Sequence, residues 1–263
     1  MIDEGTCILE IVVCVVFFSD HMSYMTDNAF TRMGYKMGLR KDSYDHRDHI
    51  HMLPTVISEM PPKMDLRGKI KTVFKQCWND CSANVISNVV MSLKDDDKAV
   101  SRLFQYYNSR FVADPDFITD NGATYRDALK ALQKFGFVNE EEWDYSDDHV
   151  NTPPTDEVFT LGLNNTYFIK SYRKLFPTLT NIKYTLFTGN LIMLGIAIWD
   201  NFVNLDSNFV APLPAKDSVF CGLHAVLMCG FDDALQSCLC VNSWGRDWGD
   251  QGFFYLPYKF VLD

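Results

Sequence analysis

The sequence predicts an α+β fold with a helical first half and a sheet-rich second half. Apolar positions recur at helical spacing as far as Phe135, and from Tyr167 onward they change to short runs of β-type residues. At 263 residues, 47% hydrophobic and 22% charged, the chain has the composition of a folded protein and the length for one large domain or two lobes sharing a cleft. The body is expected over residues 61–263, divided near residue 160 into a helical and a β-rich part, after an N-terminal extension or short arm over residues 1–60.

Cys7 to Phe18 form an apolar run of twelve residues, too short to span a bilayer unaided. It is preceded by Asp3 and Glu4, where a secretory signal carries basic residues, and it is interrupted by Glu10. It reads as a buried strand, a short helix or an upstream extension, so neither secretion nor stable membrane insertion is favoured and the localisation stays unknown. Thr31 to Pro62 are rich in charge, histidine and methionine without a sustained apolar period and end in Pro61-Pro62, which reads as an extended arm. Its acids and histidines (Asp42, Asp45, His46, Asp48, His49 and His51) read as solvated side chains making local hydrogen bonds, because structural zinc sites usually include closely spaced cysteines.

A buried helix is expected from Cys81 to about Lys94, where Val85, Val89 and Leu93 recur with Ala83, Ile86 and Val90 beside them. Asn79 and Asp80, both N-cap types, stand immediately before it, so Cys81 falls in the first turn. Further helices are expected over Val100 to Phe111 and over Thr124 to Phe135, the latter closed by Gly136. Strands are expected at Tyr184 to Phe187, Ile192 to Trp199, His224 to Phe231, Leu239 to Trp244 and Phe253 to Leu256.

Composition also excludes functions. With 34 acidic against 24 basic residues, the net charge of -10 argues against a nonspecific grip on nucleic acid. The eight cysteines show neither a paired C-x-x-C metal pattern nor a clear disulfide framework.

The chemistry is carried by a few residues. A thiol in a helical first turn meets unpaired backbone N–H groups and the positive end of the helix dipole, and both favour thiolate. Cys81 is therefore a candidate nucleophile. His224 opens the apolar strand HAVLMCGF, where a scaffold can present a side chain at a cleft. Asn242 ends another apolar strand and is followed by Ser243, Trp244 and Gly245, so its amide can accept an imidazole N–H beneath the cover of an indole. Taken singly, each residue also fits a structural role as a buried cysteine, a half-buried histidine or a turn asparagine.

Together they form a recognisable pattern. NSWGRDWGDQGFFYLPY, from Asn242 to Tyr258, resembles the NSWG-x-x-WG-x-x-GY signature of papain-like cysteine peptidases, and His224 lies 143 residues after Cys81, within the spacing of that family. PPKMDLR followed by CSANVISN is similar to the bacterial and large-DNA-virus branch, in which a short N-terminal segment replaces a long propeptide. The similarity runs from about residue 34 to residue 258. It implies a two-lobed fold, with a helical left lobe, an antiparallel β-barrel-like right lobe and the cleft between them. It also implies a cysteine endopeptidase acting on polypeptide substrates through a Cys81 thioester. His224 is the implied acid and base, Asn242 its orienting partner, Gln76 an oxyanion donor and Trp244 the shield. No cofactor or metal is implied. Asp120, Asn121, Gly122 and Ala123 resemble the segment lining the non-primed side of the cleft, and Leu223 stands where the branch usually has glycine, altering one wall of the pocket.

Two departures bear on activity. Gln76 stands five residues before Cys81 rather than six, in a loop without glycine, and Cys77-Trp78 imitates the family's cysteine-tryptophan pair. Cys77 is set aside as nucleophile because Gln76 would then be adjacent to it and Cys77 would lie in the loop rather than at the helix start. The altered loop leaves a catalytically silent binding module as an alternative, and the same triad also serves acyl or isopeptide transfer. The arm from Gly34 to Met60 is expected to cross or border the cleft and to be autoinhibitory.

Overall fold

A computed structural model of the chain describes residues 10–15, 34–51, 59–166, 169 and 171–262. Its helical half is built on α1 (Cys81–Lys94), whose residues from Cys81 to Met91 are all buried. The helix stops at Asp95, a left-handed residue whose N–H returns to the carbonyls of Met91 and Ser92. Helix α2 (Arg102–Ala113) starts where the Ser101 side chain accepts the Phe104 N–H, and α3 (Tyr125–Phe135) where Thr124 accepts the Asp127 N–H. Asp127 in turn accepts the Thr124 hydroxyl, and Gly136 closes the helix at φ 67°. A short α4 (Asp156–Leu163), not expected from the sequence, is capped by Thr155.

The strands are β1 (Glu10–Val15), β2 (Lys63–Asp65), β3 (Ser171–Lys174), β4 (Ile192–Trp199), β5 (Phe220–Asp232), β6 (Ser237–Val241) and β7 (Phe253–Pro257). Among the described residues they form one sheet in the order β3-β1-β4-β5-β6-β7, with β2 paired to β5. The expected α+β fold with an antiparallel sheet stands, with β2 and β4 to β7 all paired antiparallel; the sheet is open rather than closed into a barrel, and β1 adds a parallel strand. β1 runs parallel to both β3 and β4, a pairing that needs a long connection, and the helical half separates these strands in the sequence. The apolar run expected from Cys7 to Phe18 thus supplies a strand at Glu10–Val15, and its remaining residues lie outside those described.

The expected strand at Tyr184–Phe187 is instead the end of a helix, α5 (Leu179–Phe187). Thr178 caps it by accepting the Asn181 N–H, and Ile182 and Leu186, four apart, are buried on one face. Helical period outweighed the β-branched and aromatic composition of a four-residue window. A last short helix, α6 (Tyr258–Leu262), follows β7 directly.

What positions the site is the packing of α1 on the sheet. Val85, Ile86, Val89 and Val90 share one buried cluster with Met193 of β4, Ala225 and Leu227 of β5 and Val241 of β6. A second cluster, around Phe202, Phe254 and Trp248, fills the other face of the sheet. Ile86 is fully buried at the centre of the first. Ile86→Ala is expected to lower the free energy of unfolding by about 2–5 kcal/mol in urea melts, and an unchanged midpoint would show that this helix does not carry the packing between the lobes.

Candidate active site

Helix α1 delivers Cys81 at its first residue, and the thiol has no exposed surface. Burial pushes its pKa up to about 12, against hydrogen bonds from the backbone of Ala225 and of the first helical turn. Ala225 is the next residue after His224 on β5, so the helix start and the strand meet at this point.

His224 is also fully buried, opposite Ile196 in the β4–β5 ladder. Strand β6 lies on the other side of β5 and ends at Val241, which pairs with Leu227, so Asn242 emerges beside the histidine. His224 Nε2 donates to Asn242 Oδ1 at 2.8 Å, and the same oxygen accepts the Ser243 N–H at 2.8 Å. Since an amide oxygen only accepts, the ring proton sits on Nε2 and the neutral ring carries its lone pair on Nδ1. Nδ1 is buried and makes no hydrogen bond among the described residues. Burial holds the His224 pKa down at about 4, opposed by the bond to Asn242. Trp244 stacks on the imidazole at 5.0 Å between ring centroids, closing its outer face.

Gln76 is brought to the same place despite its shortened loop. Its N–H donates to the Ser243 carbonyl at 2.9 Å, its side-chain Oε1 accepts the Ser243 hydroxyl, and Lys75 bridges to Trp244. The side-chain amide donates to the carbonyl of Trp78 at 2.9 Å, which occupies one of its two N–H groups. Cys77, by contrast, is exposed on the loop, and its N–H donates to the Tyr145 hydroxyl.

The arm fills the space in front of these residues. The N–H groups of Gly38 and Leu39 both donate to the Leu223 carbonyl, at 3.3 Å. Arg40 N–H donates to the Ala123 carbonyl at 2.9 Å and Ala123 N–H to the Gly38 carbonyl at 3.0 Å, in a parallel bridge. Two glycines permit this approach. A Cβ on Gly38 would stand 2.0 Å from the Asn79 carbonyl oxygen, and one on Gly122, at φ +82°, would stand 2.0 Å from the Gly38 oxygen. Leu39 is buried with Tyr125, Leu129 and Ala225. Trp244 Nε1 donates to the Lys36 carbonyl at 3.0 Å, and Tyr35 packs on the same indole at 4.6 Å.

Beyond the cleft, Arg126 holds the arm by a two-oxygen contact with Asp48 and a bond to the Ser43 carbonyl. Asp42 accepts the Arg126 N–H, and Asp45 pairs with Arg47. The arm then continues along the free edge of β3, where His51 N–H donates to the Lys174 carbonyl and Lys174 N–H to the His49 carbonyl.

Of the residues expected from sequence, Cys81, His224, Asn242, Gln76 and Trp244 therefore converge, and Gly122, Ala123 and Leu223 line the groove that the arm occupies. Asn121 does not join them: it is exposed at the turn, with its N–H bonded to the Thr119 carbonyl. Sequence reasoning missed Tyr145 and the partners of two acids named for other reasons: Asp120 accepts the Asn79 N–H at 2.9 Å and the Tyr106 hydroxyl at 2.7 Å, and Asp80 accepts the Tyr145 hydroxyl. An acid in a D-N-G turn and a tyrosine between helices carry no local signal of a partner in another loop.

This fold and this constellation are those of a cysteine-type hydrolase. The profile of the papain family cysteine proteases matches residues 62–259, and the chain belongs to that family. Xylellain, a cysteine protease from Xylella fastidiosa, is 28% identical, with a TM-score of 0.78 over 88% of this chain and 92% of its own. Procathepsin B from Trypanosoma congolense shares the fold at 14% identity and a TM-score of 0.68, over 90% of this chain and 87% of its own. An uncharacterized peptidase C1-like protein of Acanthamoeba polyphaga mimivirus is 29% identical over 171 residues, 62% of this chain, and the match spans 55% of that relative's length. Among the described residues no helix is long and apolar enough to cross a membrane.

With the arm seated, a buried protonated thiol reacts slowly with alkylating agents and an exposed one rapidly. Iodoacetamide at pH 7 is expected to modify Cys77 before Cys81, as read by peptide mapping. Modification of Cys81 first would mean that the cleft is open in solution.

Proposed function

We propose that the chain is a latent endopeptidase in which Cys81 is the nucleophile, His224 Nδ1 the proton carrier and Asn242 the residue that fixes the imidazole. The observation that carries the reading is the His224–Asn242 bond, which uses Nε2 and leaves Nδ1 unbonded on the strand whose next residue, Ala225, meets the Cys81 thiol. His224 takes the thiol proton, and the thiolate attacks the scissile carbonyl. The oxyanion forms within reach of the Cys81 N–H and the remaining N–H of Gln76. Such a donor contributes about 3 kcal/mol to the transition state. The imidazolium then protonates the leaving amine, and water, activated by the same Nδ1, hydrolyses the thioester and frees the acid.

The groove accommodates an extended backbone, as its present occupant demonstrates, so a polypeptide is the substrate class that fits. A silent binding module and an acyl transferase are not favoured. The family is one of proteases, and Gln76 keeps its anchorage to Ser243 in the shortened loop.

The arm is the inhibitor in this reading. It removes water from Cys81 and His224, which keeps both neutral and stabilises the thiol–imidazole form over the ion pair. Val at position 38 cannot approach the Asn79 carbonyl as glycine does. Gly38→Val is expected to raise hydrolysis of fluorogenic peptides at least ~10-fold. On that background Cys81→Ala abolishes turnover, whereas Cys77→Ala retains it; full activity in the Cys81→Ala chain would end the assignment.

A pH dependence follows. In the sealed state the His224 pKa is held at about 4, and in an open, hydrated cleft it returns toward its ordinary value of about 6.5. The sealed state therefore has its full stability above about pH 6.5 and loses it as pH falls toward 4, by up to about 1.4 kcal/mol per unit. Amide exchange at Gly38, Leu39 and Arg40, corrected for intrinsic rates, is expected to speed up between pH 7 and pH 5. Replacing His224 by Gln should remove that acceleration, and an equal acceleration in both chains would place the switch elsewhere.

A further inference from the structure

The loop that carries Gln76 contains a second device, which the triad does not use. Asp80 occupies the N-cap position of α1, yet its side chain makes no capping hydrogen bond. The carboxyl is fully buried and turned the other way, with Oδ2 accepting the Tyr145 hydroxyl at 2.9 Å. That hydroxyl accepts the Cys77 N–H at 2.9 Å. A chain of two bonds therefore runs from the middle of the Gln76 loop through Tyr145 to the residue before the candidate nucleophile. Tyr145 is held by the Arg102 guanidinium, 3.4 Å above its ring, and by the edge of Trp78 at 4.6 Å.

The surroundings leave the Asp80 carboxyl without a directly bonded cation. On α1 its neighbours are Cys81 and Asn84, whose amide donates to the Asp80 backbone carbonyl. On α2, Arg102 is paired with Glu140 and also bonds Asn84 Oδ1, and Arg110 is engaged by the carbonyls of Tyr106 and Thr119 and by Asn151. On the adjoining loop, Asp120 is held by Asn79 and Tyr106. Asp80 Oδ1 is buried and makes no hydrogen bond of good geometry among the described residues. An ionised carboxylate here raises the energy of a thiolate on the next residue, whereas a neutral carboxyl does not.

We propose that Asp80 and Tyr145 are a positioning pair that holds the glycine-free Gln76 loop in its working shape, and that ionisation of Asp80 slows attack by Cys81. The inference rests on Cys81 being the nucleophile. Burial pushes the Asp80 pKa up to about 6, against the Tyr145 bond and the Arg102 charge, so the switch falls where it can act. The neutral form prevails below that pH and the ionised form above it.

The test uses the full chain carrying Gly38→Val, so that the arm does not gate access, and follows two quantities against pH: alkylation of Cys81 by iodoacetamide and hydrolysis of a fluorogenic peptide. The parent chain is expected to show a fall of about 3- to 10-fold in both as pH rises through about 6, superimposed on the ionisation of Cys81 and His224. Asp80→Asn, which keeps an acceptor for Tyr145, should lose that fall and stay on the higher limb. Tyr145→Phe removes a bond that lowers the Asp80 pKa, so it should move the fall to higher pH and reduce kcat about 10-fold with a smaller change in KM. A pH profile identical in the parent and Asp80→Asn chains overturns the proposal, as does a Tyr145→Phe chain with unmoved profile and kcat. If Asp80→Asn does not fold, the Tyr145→Phe shift decides alone. Loss of turnover in Cys81→Ala with these profiles unchanged discards only the Asp80 pair, whereas turnover surviving Cys81→Ala discards the nucleophile assignment itself.

Discussion

The structure depends on the contact between the first turn of α1 and the middle of β5. A buried helix laid on a sheet brings its N-terminal N–H groups to the strand that carries His224, and the next strand in the ladder delivers Asn242. Each of these placements is a consequence of packing. Val85, Ile86 and Val90 seek the same apolar surface as Ala225, Leu227 and Val241, and the polar residues at the ends of these elements are carried into register. The loop before α1 is zipped to the segment after β6 by the bonds of Gln76 with Ser243, so the Gln76 loop is tied to the same strands.

The arm lies over the groove beside these buried residues. Its backbone satisfies the Leu223 carbonyl and both backbone groups of Ala123, which an empty groove leaves to water. The consequence is electrostatic as well as steric, because excluding water disfavours the charged forms of both Cys81 and His224. A second clamp, at Arg126 and along the edge of β3, holds the arm away from the cleft, and β1 anchors a still earlier segment between β3 and β4. The arm is therefore fastened to the body at several points outside the groove it occupies, so opening the groove does not require releasing the whole segment.

The departures from the family pattern have physical answers in the fold. The shortened loop keeps Gln76 in place through Ser243, and the missing glycine is compensated by the exposure of Cys77 and by the Tyr145 hydroxyl that takes its N–H. The glycines that matter for close approach lie elsewhere, at Gly38 and Gly122, where backbone meets backbone. Asp80 shows why an N-cap type is only a local preference. Its carboxyl accepts the Tyr145 hydroxyl and makes no capping bond to the helix it precedes.

What the sequence by itself determined are the features set by local chemistry and short-range period: three helices, most of the strands of the second half, and the family signature that singles out Cys81, His224 and Asn242 as candidates. An apolar period of 3.6 or 2 is written in neighbouring residues, and a signature such as NSWG-x-x-WG can be read without knowing what it touches. What only the tertiary structure decided are the relations between distant segments. These are β1 joining the sheet in parallel and leaving it open, Tyr184–Phe187 settling as helix under the Thr178 cap, and Tyr35–Arg40 lying in the groove between Ala123 and Leu223. Tyr145 reaching Asp80 belongs with them. The reason is common to all. Backbone and side-chain hydrogen bonds between remote loops have no sequence period, and they form only once the apolar faces have fixed which loops become neighbours.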